Sequence, residues 1–198
     1  MIREFHLADV LTLGNAACGL AGVLFSMLYM ESRSHAHFFA ATAMAPAALL
    51  FDWLDGRVAR WRRQHSALGR ELDSLADIIA FGMAPAVLGF AAGLRGGWDW
   101  LALTYFVCCG VSRLARYNIT AERLSGDQDR VAYFEGTPIP TTILLTGLLA
   151  LAAWKDRIGA NLWWGGWTIG PWDLHLFSLL FVLSGSLMIS KTLRIPKV

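Results

Sequence analysis

Two pairs of aspartates, separated by a short basic stretch, are the residues of this chain best suited to do chemistry. They lie in the segment 52–77, which reads D-x2-D-G-x2-A-R-x8-G-x3-D-x3-D. In helices, Asp52 and Asp55 share one face and Asp73 and Asp77 share another, because residues three or four positions apart are neighbours. Four carboxylates brought together repel one another unless cations lie between them. Hard oxygen ligands favour Mg²⁺, Mn²⁺ or Ca²⁺, so the spacing predicts a divalent-metal site.

The other fixed positions of this segment suit a phosphate-containing ligand. Gly56, Ala59 and Gly69 are small and leave room for a bulky anion to reach the metal ions, while Arg57 and Arg60 supply positive charge beside them. The alternative is that the acids are ordinary solvated surface residues. However, they adjoin apolar runs of membrane length, where ionisable side chains are costly and usually functional. The segment therefore indicates a metal site for diphosphate chemistry.

The whole pattern is similar to the signature of the CDP-alcohol phosphotransferase family, and every signature position is met between Asp52 and Asp77. The resemblance implies a membrane enzyme that moves a phosphatidyl-type group from a CDP-linked lipid to an alcohol and releases CMP. It also implies that Asp77 is the general base for the acceptor hydroxyl. We expect Asp52, Asp55 and Asp73 to bind two divalent ions, Mg²⁺ or Mn²⁺ with Ca²⁺ as the alternative. Asp77 would share one of these ions or face the acceptor, and the ions would neutralise the diphosphate and stabilise the departing CMP.

Apolar helices must position these residues. With 56% hydrophobic residues and a mean hydropathy of +0.46, the chain is too apolar for an ordinary soluble domain. The three cysteines fall inside apolar runs, which argues against a disulfide framework or a zinc site. We predict an all-α, polytopic membrane bundle forming one CDP-alcohol phosphotransferase domain over residues 1–198. We also expect a homodimer and no nucleic-acid partner. A helix needs roughly 20 apolar residues to cross a bilayer, and the predicted spans are about 8–30, 38–51 continuing into the motif, 66–92, 98–117, 140–154 and 172–193.

The distribution of charge predicts the orientation of these spans. Six spans place both termini on one side, together with the connections 61–66 and 119–136. That side holds all but four of the 17 Lys and Arg residues, so the positive-inside rule makes it cytoplasmic. Seven of the nine tryptophans gather at the opposite side, as an interfacial belt would. We therefore expect a multi-pass protein of the cell (inner) membrane whose aspartate site faces the cytoplasm.

Two polar residues of the first span could belong to the same site. Thr12 and Asn15 lie about one helical turn apart in an otherwise apolar segment. They could make interhelical hydrogen bonds or hold the nucleotide and its diphosphate, and the residues alone leave both roles open.

A second polar group, on the fourth span, is the candidate for binding the acceptor. Arg113 and Arg116 are one turn apart and are followed by Asn118. Two arginines on one face suit a carboxylate or a phosphate, which arginine grips in a bidentate manner. The segments 11–15, 113–118 and 136–140 look like those of phosphatidylserine synthases within the family.

The acceptor predicted from this resemblance is L-serine, with CDP-diacylglycerol as the phosphatidyl donor. Glycerol 3-phosphate or an inositol phosphate could use the same arginines. A cation transporter that uses the acidic cluster is the alternative outside enzymes, but it predicts acids spread through the membrane depth, whereas these lie at one face.

Overall fold

The computed structural model describes residues 7–62, 67–124, 133–190, 192 and 194–196. Helices dominate these residues, as the composition predicts, and the elements run in the following order: α1 (Leu7–Ser32), α2 (His35–Arg62), α3 (Ala67–Asp77), a π-helical turn (Ile78–Met83), α4 (Ala84–Ala92), α5 (Gly97–Leu124), β1 (Tyr133–Glu135), a 3₁₀ turn (Ile139–Thr142), α6 (Ile143–Trp154), a 3₁₀ turn (Gly159–Asn161), β2 (Gly166–Ile169), β3 (Trp172–His175), α7 (Ser178–Ile189) and β4 (Arg194–Pro196).

The all-α membrane class is confirmed. Because the π-helical turn joins α3 to α4 without a break, the described residues form six helical segments, one for each predicted span. Three segments are long and apolar enough to cross a membrane, namely Leu7–Ser32, His35–Val58 and Leu68–Ala92, and the apolar helices Ile139–Trp154 and Ser178–Ile189 are shorter. The number of spans and the side that the aspartates face stay predictions. Residues 63–66 and 125–132 of the predicted connections lie outside the described residues, while α5 continues through residue 124.

The start of the last predicted span is wrong. Residues Trp172–His175 form β3, which pairs antiparallel with β2, and the helix begins only at Ser178. A two-residue turn joins the strands, and Gly170 takes a φ of +65° there, a conformation that favours glycine. The prediction counted residues 172–193 as one span because Trp172 and Leu174 extend the apolar run of the helix, although Asp173 and His175 interrupt it.

A buried carboxylate anchors this hairpin to the start of α5. Asp99 is fully buried and accepts hydrogen bonds from the backbone N–H groups of Gly96 (2.9 Å) and His175 (2.8 Å). It also pairs with the ring of His175, with 2.6 Å between Nδ1 and Oδ2. Trp98 packs edge-on against Trp172 beside this pair. The hairpin is therefore fixed to the end of α5 opposite to the one that carries Arg113 and Arg116.

A close crossing between α1 and the π-helical turn sets the geometry of the candidate site. A Cβ added at Gly19 would lie 2.7 Å from the Cα of Ala80, so a larger residue there would push the two helices apart. Asn15 lies one turn before Gly19, and Asp77 lies three residues before Ala80. The glycine thus brings the polar face of α1 against the second aspartate pair.

The π-helical turn directly after Asp77 has an identifiable cause. Pro85 has no N–H group and cannot donate to the carbonyl of Phe81, four residues earlier, while the N–H of Ala84 reaches back to Ile79. The carbonyl of Phe81 instead accepts a hydrogen bond from the buried hydroxyl of Thr142, at 2.7 Å. A polar side chain at the start of α6 therefore satisfies the backbone group that the proline leaves open.

Candidate active site

Three of the four predicted aspartates converge on one point. Asp52 and Asp55 project from α2 and Asp73 from α3, and one carboxylate oxygen of each lies within 4.8 Å of the others. Asp55 is buried, whereas Asp52 and Asp73 are half-buried. Among the described residues, no Lys, Arg or His nitrogen lies within ion-pairing distance of these three carboxylates. The set fits a hard divalent cation, because clustered carboxylates without a basic partner need a positive charge between them.

Asp77 lies beside this cluster but is not one of the three residues that converge. It is buried, and its Oδ1 accepts a hydrogen bond from the amide nitrogen of Asn15, at 3.1 Å. The charges of Asp52, Asp55 and Asp73 all act on its carboxylate. This position suits the role of a base next to the three clustered acids, while its assignment as a metal ligand stays a prediction.

The polar face of α1 holds both halves of the aspartate motif. Thr12 donates its hydroxyl to Oδ2 of Asp55 at 2.7 Å and lies near the carbonyl oxygen of Ala8 at 3.1 Å. Asn15 reaches Asp77 in the same way from one turn further along. Of the two roles left open for these residues, interhelical hydrogen bonding is therefore present for both. Contact with the nucleotide or its diphosphate stays a prediction.

The small and basic positions of the motif differ in their surroundings. A Cβ added at Gly56 would meet no atom of the described residues within 4 Å, so this position is open beside Asp55 as far as they show. Gly69 is half-buried on α3, and Ala59 lies on α2 with a side chain outside the described set. Arg60 is exposed. The guanidinium of Arg57 lies over the ring of Trp53, 5.0 Å from its centroid.

The three candidate acceptor residues of α5 differ in their surroundings. Arg113 is half-buried, its Nε has no hydrogen-bond partner among the described residues, and the charge of Asp77 acts on it. Arg116 instead points its guanidinium at the carbonyl oxygen of Ile189, at 3.4 and 3.5 Å, where α7 ends. A cation at a helix C-terminus interacts favourably with the last carbonyls. Of the two arginines, Arg113 is therefore the one with an unpartnered Nε among the described residues and with the charge of Asp77 acting on it.

Asn118 is engaged within the protein. Its amide nitrogen donates to Oγ of Ser74 at 3.0 Å and to Oε2 of Glu71 at 3.2 Å. Since Ser74 directly follows Asp73, this network connects the end of α5 to the helix that carries the second aspartate pair. Neither Ser74 nor Glu71 is part of the predicted site, and no sequence pattern distinguishes them from other polar residues of α3.

Asp9 is a further buried acid that the sequence reasoning missed. It is 3% exposed, lies three residues before Thr12 on α1, and its charge acts on Asp55. The spacing of Asp9, Thr12 and Asn15 at successive turns was the signal that could have found it.

Comparison with known proteins identifies the class to which this fold and site belong. The family model described as CDP-alcohol phosphatidyltransferase matches residues 5–172. The chain belongs to this family, and the resemblance predicted from the aspartate signature is confirmed. The protein is thus an enzyme of the CDP-alcohol phosphotransferase class.

The chain is similar to three proteins that are each named CDP-diacylglycerol–serine O-phosphatidyltransferase. The Saccharomyces cerevisiae protein is 40% identical over an alignment of 205 residues, which covers 100% of this chain and 72% of the relative. The Mycobacterium tuberculosis (strain H37Rv) protein is 34% identical over 171 residues, covering 84% of this chain and 55% of the relative. The Bacillus subtilis protein is 37% identical over 138 residues, covering 68% of this chain and 70% of the relative.

Proposed function

We propose that this protein transfers the phosphatidyl group of CDP-diacylglycerol to the hydroxyl group of L-serine, forming phosphatidylserine and releasing CMP. The observation that carries the proposal is the convergence of the Asp52, Asp55 and Asp73 carboxylates within 4.8 Å, next to a buried Asp77, in a chain of this family. The choice of serine is supported by the names of the relatives.

The reaction requires one bond to form and one to break at the lipid-bearing phosphorus of the diphosphate. The serine oxygen bonds to this phosphorus as the bond to the CMP oxygen breaks, and the hydroxyl proton passes to a base. Asp77 is our candidate for that base, since its Oδ1 is fixed by Asn15 at 3.1 Å and the metal-binding acids adjoin it. Divalent cations held by Asp52, Asp55 and Asp73 would supply charge neutralisation for the diphosphate and its leaving group.

We assign the serine carboxylate to Arg113 rather than to Arg116. Arg113 lies where the charge of Asp77 acts on it, and its Nε has no partner among the described residues. Arg116 has the C-terminal carbonyl of α7 as a partner. A carboxylate bound to Arg113 would bring the hydroxyl of the same amino acid close to Asp77. In this assignment Arg60 and the open space at Gly56 serve the diphosphate.

We further propose that the site faces the cytoplasm of the cell (inner) membrane and that the protein works as a homodimer. The charge asymmetry of the connections supports the orientation. A cytoplasmic site suits a water-soluble nucleotide product and a lipid product that stays in the bilayer.

One assay tests the function. Purified protein in detergent is incubated with CDP-diacylglycerol, Mg²⁺ or Mn²⁺, and L-serine, glycerol 3-phosphate or myo-inositol 1-phosphate in turn. CMP release is measured and the lipid product is identified by its mass. We expect CMP and phosphatidylserine with serine. Release of CMP with glycerol 3-phosphate but not with serine would refute the acceptor, and no CMP release with any alcohol would refute the enzyme.

Charge-neutral variants test the three-aspartate cluster. Asp55→Asn and Asp73→Asn should abolish CMP release while the protein still elutes from size exclusion as the wild type does. Glu71→Gln is the matched control, because it removes an exposed carboxylate from α3 and keeps an acceptor for Asn118. We expect this control to retain most of the activity. Full activity of either aspartate variant, or of the wild type in excess chelator, would contradict the metal assignment.

A further inference from the structure

Asn15 has a hydrogen-bonding group that none of the described residues uses. The side chain is fully buried and its Nδ2 donates to Asp77, but its Oδ1 has no partner among the described residues. The orientation of the amide follows from chemistry, because a carboxylate only accepts hydrogen bonds and must face the NH₂ group. A buried carbonyl oxygen without a donor costs about 1–3 kcal/mol, so its retention here points to a donor that arrives with a ligand.

The free oxygen lies close to the atom that would take the hydroxyl proton. Within a carboxamide the oxygen and nitrogen are about 2.3 Å apart, as standard bond lengths and angles require. With 3.1 Å between Nδ2 of Asn15 and Oδ1 of Asp77, the Asn15 oxygen is at most about 5.4 Å from that carboxylate oxygen. The tight crossing at Gly19, one turn further along α1, keeps this amide in place.

A 2-amino alcohol matches the pair formed by this amide and Asp77. Its ammonium and hydroxyl groups stand on adjacent carbons, so that the nitrogen and oxygen are about 3 Å apart when gauche. An ammonium group has three donors and no acceptor, which complements a carbonyl oxygen on a side chain bonded to Asp77. A carboxylate, a phosphate or a second hydroxyl oxygen of another acceptor would place an acceptor or a weaker donor at the same point.

We propose that Oδ1 of Asn15 binds the α-ammonium group of the amino acid acceptor while Nδ2 of the same side chain positions Asp77. This inference rests on the proposed function, and it assigns the group that distinguishes an amino acid from other hydroxy acids. Three groups of the substrate then have separate partners: the hydroxyl at Asp77, the ammonium at Asn15 and the carboxylate at Arg113. An acceptor without the ammonium leaves the buried oxygen unpaired, which is how a polar site rejects an analogue.

The test compares L-serine with 3-hydroxypropanoate, which keeps the hydroxyl and the carboxylate but lacks the ammonium group. For each acceptor, kcat/KM is measured from CMP release with the wild type, Asn15→Ala and Thr12→Ala. We expect the wild type to prefer serine by roughly tenfold or more, as one hydrogen bond to a charged group allows. In Asn15→Ala this preference should fall by a similar factor.

These measurements distinguish the two roles of Asn15, which are positioning Asp77 and binding the ammonium group. Poor positioning of Asp77 lowers kcat for both acceptors alike and leaves their ratio unchanged, whereas the loss of the ammonium partner changes the ratio. Thr12→Ala is the matched control, because its hydroxyl lies on the same face of α1 but donates to Asp55. We expect this control to lower kcat for both acceptors and to keep the wild-type preference.

Each outcome decides the inference. The inference on Asn15 is overturned if the wild type prefers serine less than about threefold, or if Asn15→Ala keeps the full preference. In both cases the protein still uses serine, so the proposed function stands. If Asn15→Ala turns over neither acceptor, calorimetric binding of both compounds to the folded, CMP- and Mg²⁺-saturated variant gives the ratio instead. A wild type that releases CMP with another alcohol and not with serine overturns the proposed function as well.

Discussion

Removal of the Arg113 guanidinium is the sharpest test of how the acceptor is held. In Arg113→Ala the serine carboxylate would lose its cationic partner in a half-buried position. Truncation of one member of a buried, hydrogen-bonded charge pair costs about 2–5 kcal/mol. Because Arg113 keeps some exposure, we place the loss in the lower part of this range, at about 2–3 kcal/mol. Each 1.4 kcal/mol is a factor of ten, so the KM for serine should rise roughly 30- to 150-fold.

The assay is steady-state CMP release at saturating CDP-diacylglycerol with serine varied, followed by the reverse experiment. The KM for CDP-diacylglycerol should change much less, because Arg113 is assigned to the acceptor alone. Arg116→Ala is the matched control: it removes the same charge one turn away, from an arginine whose partner is the carbonyl of Ile189. We expect this variant to lose thermal stability in detergent while its KM for serine stays within a few-fold of the wild type.

Serinol, which lacks the carboxylate, shows whether Arg113 binds the serine carboxylate or acts through its charge on Asp77. It should be a poor acceptor for the wild type, and Arg113→Ala should affect it little because the partner of Arg113 is already missing. If serine and serinol lose activity in parallel, Arg113 acts on Asp77 and not on the carboxylate. If Arg116→Ala raises the KM for serine and Arg113→Ala does not, the two arginines are assigned in the wrong order.

Two other predictions concern the framework around the site. Thr142→Val should destabilise the folded protein by about 1–3 kcal/mol, because it leaves the buried carbonyl of Phe81 without its donor; Thr142→Ser should not, and equal melting temperatures of the two variants would contradict this account of the π-helical turn. For the orientation, single cysteines replace the exposed residues Trp61 and Arg157 in a cysteine-free background. An impermeant thiol reagent should label intact cells at position 157 only, and labelling at 61 alone would reverse the assignment.

The convergence of the aspartates could be predicted from sequence because it follows from helical spacing. Asp52 and Asp55 share a face of α2 whatever the rest of the fold does. Charged side chains beside apolar spans are costly, so four such acids indicate a common functional site. The partners from α1 could not be predicted in the same way. Which carboxylate Thr12 or Asn15 reaches depends on how α1 crosses the other helices, and the crossing depends on one close contact at Gly19.

Hydropathy predicted the order of the helices but not their interruptions. The strand Trp172–His175 directly precedes the last apolar helix, and its identity depends on pairing with β2 and on the bonds to Asp99. The π-helical turn likewise depends on a donor 61 residues away in sequence. The carbonyl that Pro85 leaves open is visible in the sequence, but Thr142 as its partner is not. Long-range partners of single polar groups are therefore what the sequence patterns missed.

A single helix, α1, contacts both halves of the aspartate motif. The two halves of the aspartate motif lie on different helices, and the chain between them, residues 63–66, is short. Thr12 holds Asp55 of the first half, and Asn15 holds Asp77 of the second, at 2.7 and 3.1 Å. Because these two donors lie one turn apart on one helix, α1 fixes the distance between the clustered acids and the candidate base. A shift of α1 would therefore move both contacts together. The packing at Gly19 thus helps to set the positions of Asp55 and Asp77.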